Sequence, residues 1–377
     1  MFVYPDIPRG STTLSSTLRY GVIGTGMMGV EHIHNLLALD GAEVVALCDP
    51  DPGSLGTAAT LVPNAVQFSD HHSMLEAGGC DALVVATPNM THVNVLLDVI
   101  EAGLPVLVEK PLCTTVSDCR RVIEAAGSDA VVWVGLEYRY MPAIASLIDS
   151  VMAGTVGPIR MVAIREHRFP FLEKVGDWNR FKANTGGTLV EKCCHFFDLM
   201  NLITGARPLR VMASGAQDVN HLDEEYQGRV PDVIDNAYVI VDFDSGARAV
   251  LDLCMFAEAT RNQEEVSVVG DLGKVEALVP ESVLRTGIRG KHGIGDIQEV
   301  HVQDSGIGYQ GLHHGSSFVE HKRFRRTVLE MMRPESGLEE GLWSVAVGVA
   351  AQLSIQENRF VEIDEVMANG LGGTEGD

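Results

Sequence analysis

LRYGVIGTGMMG, residues 18–29, runs from an apolar β-rich stretch through a Gly-x-Gly-x-x-Gly turn into a helix-like segment, Met28 to Leu39. A glycine-rich turn carries weight in this context, after a strand and opening a helix. Gly24 permits the tight turn, Gly26 lets the backbone approach a pyrophosphate, and Gly29 lets helix and strand pack closely. Thr25, Met27 and Met28 complete the turn, which presents a helix N-terminus to the phosphates. The next strand candidate, AEVVALCD (42–49), ends on Asp49. A carboxylate there accepts hydrogen bonds from ribose hydroxyls and repels a 2′-phosphate, so NAD is expected rather than NADP. No Arg or Lys follows in PDPGSLG (50–56) to argue otherwise.

Outward from this unit, DALVVATP (81–88), LPVLVEKP (104–111) and AVVWVGLEYRY (130–140) are further strand candidates separated by apolar helix-like stretches. That alternation is how a parallel sheet with crossover helices is written. Residues 18–140 are therefore expected to form a doubly wound Rossmann dinucleotide-binding domain. Thr87-Pro88-Asn89 and Glu109-Lys110-Pro111 fall at the carboxyl ends of its strands, the edge along which open α/β sheets bind ligands. Lys110 stands where a nicotinamide and its hydride partner would meet, although a surface lysine ahead of a helix-starting proline fits the same spacing.

Beyond Met141 the rhythm changes. YVIVDF and ARAVLDLCMF flank Asp244-Ser245-Gly246, and VSVVG and KVEALV flank Asp271-Leu272-Gly273, both hairpin patterns. Residues 141–365 are expected to form a second α/β domain with a large, mostly antiparallel open sheet. Its helices include 316–332 and 338–355. Residues 1–17 and 366–377 are expected to be disordered tails.

The chain has 377 residues and 46% hydrophobic content, ample for two cores. It contains no run of eighteen apolar residues, and the first seventeen lack a basic region followed by an apolar one. A cytoplasmic protein with no membrane partner is expected. The seven cysteines are odd in number, scattered and without a CxxC pair, so reduced thiols are expected. A net charge of −23 repels phosphate backbones, which argues against nucleic acid. The acidic field can draw in a cationic substrate such as an amino sugar, and it equally serves solubility.

TGGTLVEKCCHFFDL (185–199) follows a glycine turn with Glu191, His195 and Asp198 at spacings of four and three. On one continuous helix these would share a stripe while Phe196, Leu199 and Leu202 pack inward. Thr188 and Glu191 also match a capping box. Adjacent residues on a helix diverge by about 100°, so Cys193, Cys194 and His195 do not wrap a single zinc, and no metal is expected. His313-His314, in GLHHGSS, is a loop pair that either reaches the substrate from the second domain or is solvated.

With GxGxxG, Asp49, TPNxxH (87–92), EKP (109–111) and GG-x-L-x-E-x-x-x-H-x-x-D (186–198) in this order, the chain resembles the glucose-fructose oxidoreductase/inositol dehydrogenase/rhizopine catabolism family from about residue 18 to about 362. The resemblance implies a Rossmann domain followed by an α/β domain whose open sheet serves as an interface in a homo-oligomer, dimer or tetramer. It also implies NAD(P)-dependent oxidation or reduction at a secondary carbinol of a sugar, cyclitol or related polyol. Position by position, the lysine of EKP falls on Lys110 and the helix histidine on His195. Glu109 and His92 belong to the cofactor-side motifs, and Asp198 to the substrate side. Glu191 stands where the family commonly has aspartate, and is followed by an unusual Lys192 and the pair Cys193-Cys194. Trp178, Arg180 and Arg139 also match the family pattern and are expected at the substrate. In the implied chemistry His195, with an ordinary pKa of about 6.5, takes the hydroxyl proton while Lys110 polarises the same oxygen. Two other readings stay open: a redox-neutral glycosidase using bound NAD, and a non-catalytic nucleotide-binding regulator.

Overall fold

Apolar runs with both faces buried form the centre of the first sheet in the computed structural model, which describes residues 17–290 and 296–369. The strands are β1 (Leu18–Ile23), β2 (Ala42–Cys48), β3 (Val66–Phe68), β4 (Ala82–Val85), β5 (Val106–Glu109) and β6 (Val132–Gly135). All pair in parallel in the order 3-2-1-4-5-6, the Rossmann arrangement. Every residue of β4, β5 and β6 is buried, which is why these segments read as continuous rather than alternating hydrophobic runs. The three-residue edge strand β3 was not among the expected strands, because so short a segment has no period to detect.

The turn after β1 has the geometry its glycines require. Gly24 has φ +88°, and a Cβ on it would lie 2.6 Å from the Ala86 backbone. A Cβ on Gly29 would lie 2.0 Å from the Gly24 carbonyl oxygen, so only glycine lets helix Met27–Leu37 seat on the strand.

The second sheet contains β7 (Ile159–His167), β8 (Pro208–Ala216), β9 (Asn236–Phe243), β10 (Arg248–Cys254), β11 (Glu264–Gly270), β12 (Gly273–Val279), β13 (Val283–Ile288), β14 (Gln298–His301) and β15 (Val361–Glu362). Their order is 14-13-12-11-7-10-9-8-15. Only β7 and β10 pair in parallel. Along β9 burial alternates, as expected for a sheet with one covered face. Helices Cys194–Thr204 and Leu338–Glu357 pack on the inner face, while Met161, Tyr238 and Ile240 stay exposed on the outer one.

Two features of the fold bear on the domain bounds. The helix Ser316–Glu330, assigned by chain order to the second domain, completes the core of the first. Its Phe324 is fully buried, with ring centroids 6.4 Å from Tyr20 and 6.3 Å from Trp133, covering apolar surface that the first half alone leaves open. Residues 366–369, placed in the expected disordered tail, are helical. Helix Ile363–Asn369 inserts Val366 into the core, while residues 370–377 and 1–16 lie outside the described residues. Among the described residues no helix is long and apolar enough to cross a membrane.

Candidate active site

A cleft of about 580 Å³ opens along the carboxyl edge of the parallel sheet, bordered by Gly24, Gly26, Met27, Met28, Asp49 and Pro88 at one end and by Lys110, Trp178 and Glu191 at the other. A Cβ on Gly26 would meet nothing within 4 Å, so the space above this glycine is open while Gly24 and Gly29 are sealed. The Asp49 carboxylate is anchored by the Thr25 amide at 2.7 Å and the Asp51 amide at 2.9 Å. An open glycine cradle at a helix N-terminus, with a fixed carboxylate beside it, is the donor and acceptor set a dinucleotide needs.

Asn89 crosses from this cleft to the Thr185 carbonyl, a 3.5 Å contact between the two domains. His92 lies beneath, with ring nitrogens 2.8 Å from the Pro111 carbonyl and 3.0 Å from the Thr87 carbonyl. It ties the ends of two strands together. The Thr87 hydroxyl, at the cleft wall, is 2.9 Å from that of Thr91.

The position of Lys110 is set from behind. Glu109 is buried and accepts from His32 of helix Met27–Leu37 at 2.9 Å, and His32 in turn is 2.8 Å from His321. Burial opposes ionisation of Glu109, but the hydrogen bond and charge of His32, with Lys110 nearby, hold its pKa down at about 2. Lys110 donates to the Glu191 carbonyl at 3.4 Å. Burial works to lower its pKa, and Cys194, Glu109, Glu191 and Glu137 outweigh that, raising it, so the side chain is an ammonium. The Glu191 carboxyl is also buried; desolvation raises its pKa against the pull of Lys110 and Lys174, and its Oε2 has no hydrogen-bond partner.

The single helix that would carry Glu191, His195 and Asp198 on one stripe is two segments, Thr188–Glu191 and Cys194–Thr204. The capping box is absent: the Thr188 hydroxyl donates to the Ile234 carbonyl at 2.6 Å instead. The break separates the expected stripe. Glu191 lines the cleft, His195 is buried behind it, and Asp198 turns to a different neighbour.

His195 stacks on Tyr138, with centroids 4.0 Å apart and planes 11° from parallel. Tyr138 is held by Lys192, whose Nζ is 2.5 Å from the phenol oxygen and 2.9 Å from Glu166. Burial, reinforced by the charges of Lys110 and Lys192, pushes the His195 pKa well below 6.5. The ring is neutral at physiological pH and able to accept a proton. Its Nδ1 has no hydrogen-bond partner.

Asp198 and Arg139 form a buried ion pair, two-pronged, with Arg139 also donating to the Glu335 carbonyl at 2.6 Å. These groups are committed to each other and to the fold. Arg139→Met, which leaves the Asp198 charge unpaired, is expected to cost about 3–5 kcal/mol of stability in urea unfolding. Arg180 is turned to Glu224 at 3.0 Å and to Asn179.

The histidine pair divides its roles. His313 faces inward, its Nδ1 3.5 Å from Glu137, whereas His314, with φ +55°, is exposed. Their loop is pinned to the first helix by Glu31, which accepts from the Leu312 amide at 3.0 Å. Glu31, His32, Glu137, Tyr138 and Glu166 all position or border this site and were not singled out from the sequence. Their partners are distant in the chain, so no local spacing announces them. Among the described residues, side chains with converging metal-ligand atoms occur at His71, His72 and Asp98, away from Cys193 and Cys194.

Comparison with known proteins agrees with this architecture. A family model described as "Oxidoreductase family, NAD-binding Rossmann fold" matches residues 18–136, and one described as "Oxidoreductase family, C-terminal alpha/beta domain" matches residues 148–363. Myo-inositol 2-dehydrogenase of Thermotoga maritima is 28% identical over 355 residues, covering 93% of this chain and 100% of the relative. Inositol 2-dehydrogenase 2 of Saccharopolyspora erythraea is 30% identical over 281 residues, covering 74% and 78%. A crystal structure of a probable dehydrogenase from Thermotoga maritima superposes with a TM-score of 0.76 at 26% identity, over 93% of this chain and 100% of that one.

Proposed function

The chain belongs to the glucose-fructose oxidoreductase/inositol dehydrogenase/rhizopine catabolism family of NAD-binding oxidoreductases, and from that premise we propose that it oxidises or reduces a secondary carbinol of a cyclitol, sugar or amino sugar, using NAD in preference to NADP. The observation that carries the reading is Lys110 beside Glu191 at one end of the glycine-lined cleft, with neutral His195 immediately behind.

Gly24, Gly26 and the helix N-terminus would hold the pyrophosphate, with Asp49 at the ribose. The nicotinamide, when bound, supplies a site that accepts or returns a hydride. The chain's own residues do the rest. Lys110 stabilises negative charge developing on the carbinol oxygen, and His195 takes the hydroxyl proton. Tyr138 fixes the plane of the imidazole, and Trp178 and Glu191 border the space a polyol would enter. Inositol dehydrogenases among the relatives support the polyol class.

The test is NADH formation by the purified protein with NAD or NADP against inositols, free sugars, amino sugars and glycosides. The reading requires a polyol-dependent rise that is faster with NAD. Glycoside cleavage without NADH, or cofactor binding with no turnover of any member of the panel, would replace it.

We also propose a homo-oligomer assembled through the outer face of the second sheet, where Met161, Tyr238 and Ile240 are 58%, 64% and 42% exposed. Sedimentation velocity is expected to give an oligomer for the intact protein and a smaller species for Tyr238→Asp. A wild-type monomer would refute it.

A further inference from the structure

Glu137 begins the short 3-10 turn Glu137–Tyr140 that follows β6, at the same carboxyl edge of the sheet as Lys110. Its side chain is 2% exposed, yet neither carboxylate oxygen has a hydrogen-bond partner. Oε1 lies 3.9 Å from His195 Nε2 and 3.5 Å from His313 Nδ1, both too long for well-formed hydrogen bonds. A buried carboxyl without donors is costly and calls for an explanation at a site of ligand binding. Burial, with the Glu109 charge adding to it, raises its pKa to about 8, as an acid would behave when its solvating partner is missing.

With Glu137 Oε1 only 3.9 Å from His195 Nε2, a substrate whose reacting hydroxyl meets His195 presents the hydroxyl on the adjacent carbon to Glu137. Without a donor Glu137 is therefore largely the neutral acid at neutral pH, and an occupant that donates a hydrogen bond to it favours the carboxylate. Lys110 and Lys192 both act on Glu137 electrostatically, and their positive charges disfavour an ammonium and favour a neutral hydroxyl.

Resting on the polyol-oxidoreductase reading, we propose that Glu137 is a specificity-determining residue whose carboxylate accepts a hydrogen bond from a substrate hydroxyl beside the carbon that His195 serves. The enzyme then prefers neutral polyols carrying a free hydroxyl next to the oxidised position. Glu137 is a better reporter of substrate class than Asp198, whose carboxylate is already paired with Arg139.

The experiment compares kcat/KM for a polyol that the wild type oxidises, for its monodeoxy analogues and for its monoamino analogues, in wild type, Glu137→Leu and Glu137→Gln. Wild type is expected to discriminate ~10- to 100-fold against the one deoxy analogue lacking the contacted hydroxyl, the worth of a hydrogen bond to a charged group. In Glu137→Leu that ratio collapses to about 1, and Glu137→Gln, which keeps an acceptor oxygen, retains part of it. A role in folding alone would lower all substrates together and leave the ratio intact, which overturns the proposal. A loss falling mainly on an amino analogue overturns the hydroxyl assignment. Wild-type turnover in the same assay keeps these outcomes separate from failure of the underlying reading, which would appear as no polyol oxidation by any form.

Discussion

Lys110→Ala is expected to lower kcat by ~10²- to 10³-fold, the loss typical of removing one preorganised donor to a developing oxyanion. The ammonium is held in place for this task. His32 fixes Glu109, Glu109 and its neighbours keep Lys110 charged despite burial, and the Glu191 carbonyl aims its Nζ. Because the interaction grows as charge develops, KM for the polyol should change less than kcat. A second readout follows from electrostatics. After burial, Lys110 is the largest influence lowering the His195 pKa, so its removal should move the acid limb of the pH profile of kcat/KM upward, toward neutrality. Lys192, His313 and Arg168 also lower that pKa and remain in the variant, so the shift is partial. Steady-state kinetics across pH, with cofactor saturating, measure both effects. Near-wild-type kcat with an unmoved acid limb would remove Lys110 from the chemistry.

His195→Asn is expected to lower kcat by ~10²- to 10⁴-fold, the range for loss of a positioned general base. The sign of the wild-type pH dependence comes from the direction of its shift. A histidine pushed well below 6.5 stays unprotonated as pH falls through the ordinary imidazole range, so oxidation should persist there and fail only in more acid solution. In the variant the acid limb due to His195 should vanish, and activity should rise with hydroxide concentration. Asparagine preserves much of the packing against Tyr138, so cofactor affinity, read by fluorescence titration with NADH, should stay close to wild type. A Tyr138→Leu enzyme provides contrast, because it retains the base and loses the surface that fixes its plane. Unchanged kcat in His195→Asn would transfer the proton step to another group.

Much of this architecture was legible because the chemistry is local. A strand, three glycines and a terminal aspartate lie within residues 18–49, and each has a steric or electrostatic reason readable from that segment alone. The hairpins around Ser245 and Leu272 are local in the same way. The helix break at Lys192-Cys193 was not legible. An unbroken 3.6-residue period fits the residues equally well, and the choice depends on Lys192 finding Glu166 and Tyr138. The pairing of Asp198 with Arg139, 59 positions away, and the packing of Phe324 under Tyr20 have the same character. Helical spacing picked out a neighbourhood of candidates and left open which of them face the cleft. The spacing also left open how His313 and His314 differ: His313 faces Glu137, while His314, at a positive φ, is exposed.

Hydride transfer is tested by following deuterium from the carbinol carbon of a labelled inositol into NADH isolated from the wild-type reaction. The label is expected in the reduced cofactor, with Lys110→Ala and His195→Asn slowing its appearance without diverting it. NADH formed without the label, or glycoside cleaved with no NADH at all, would contradict that transfer.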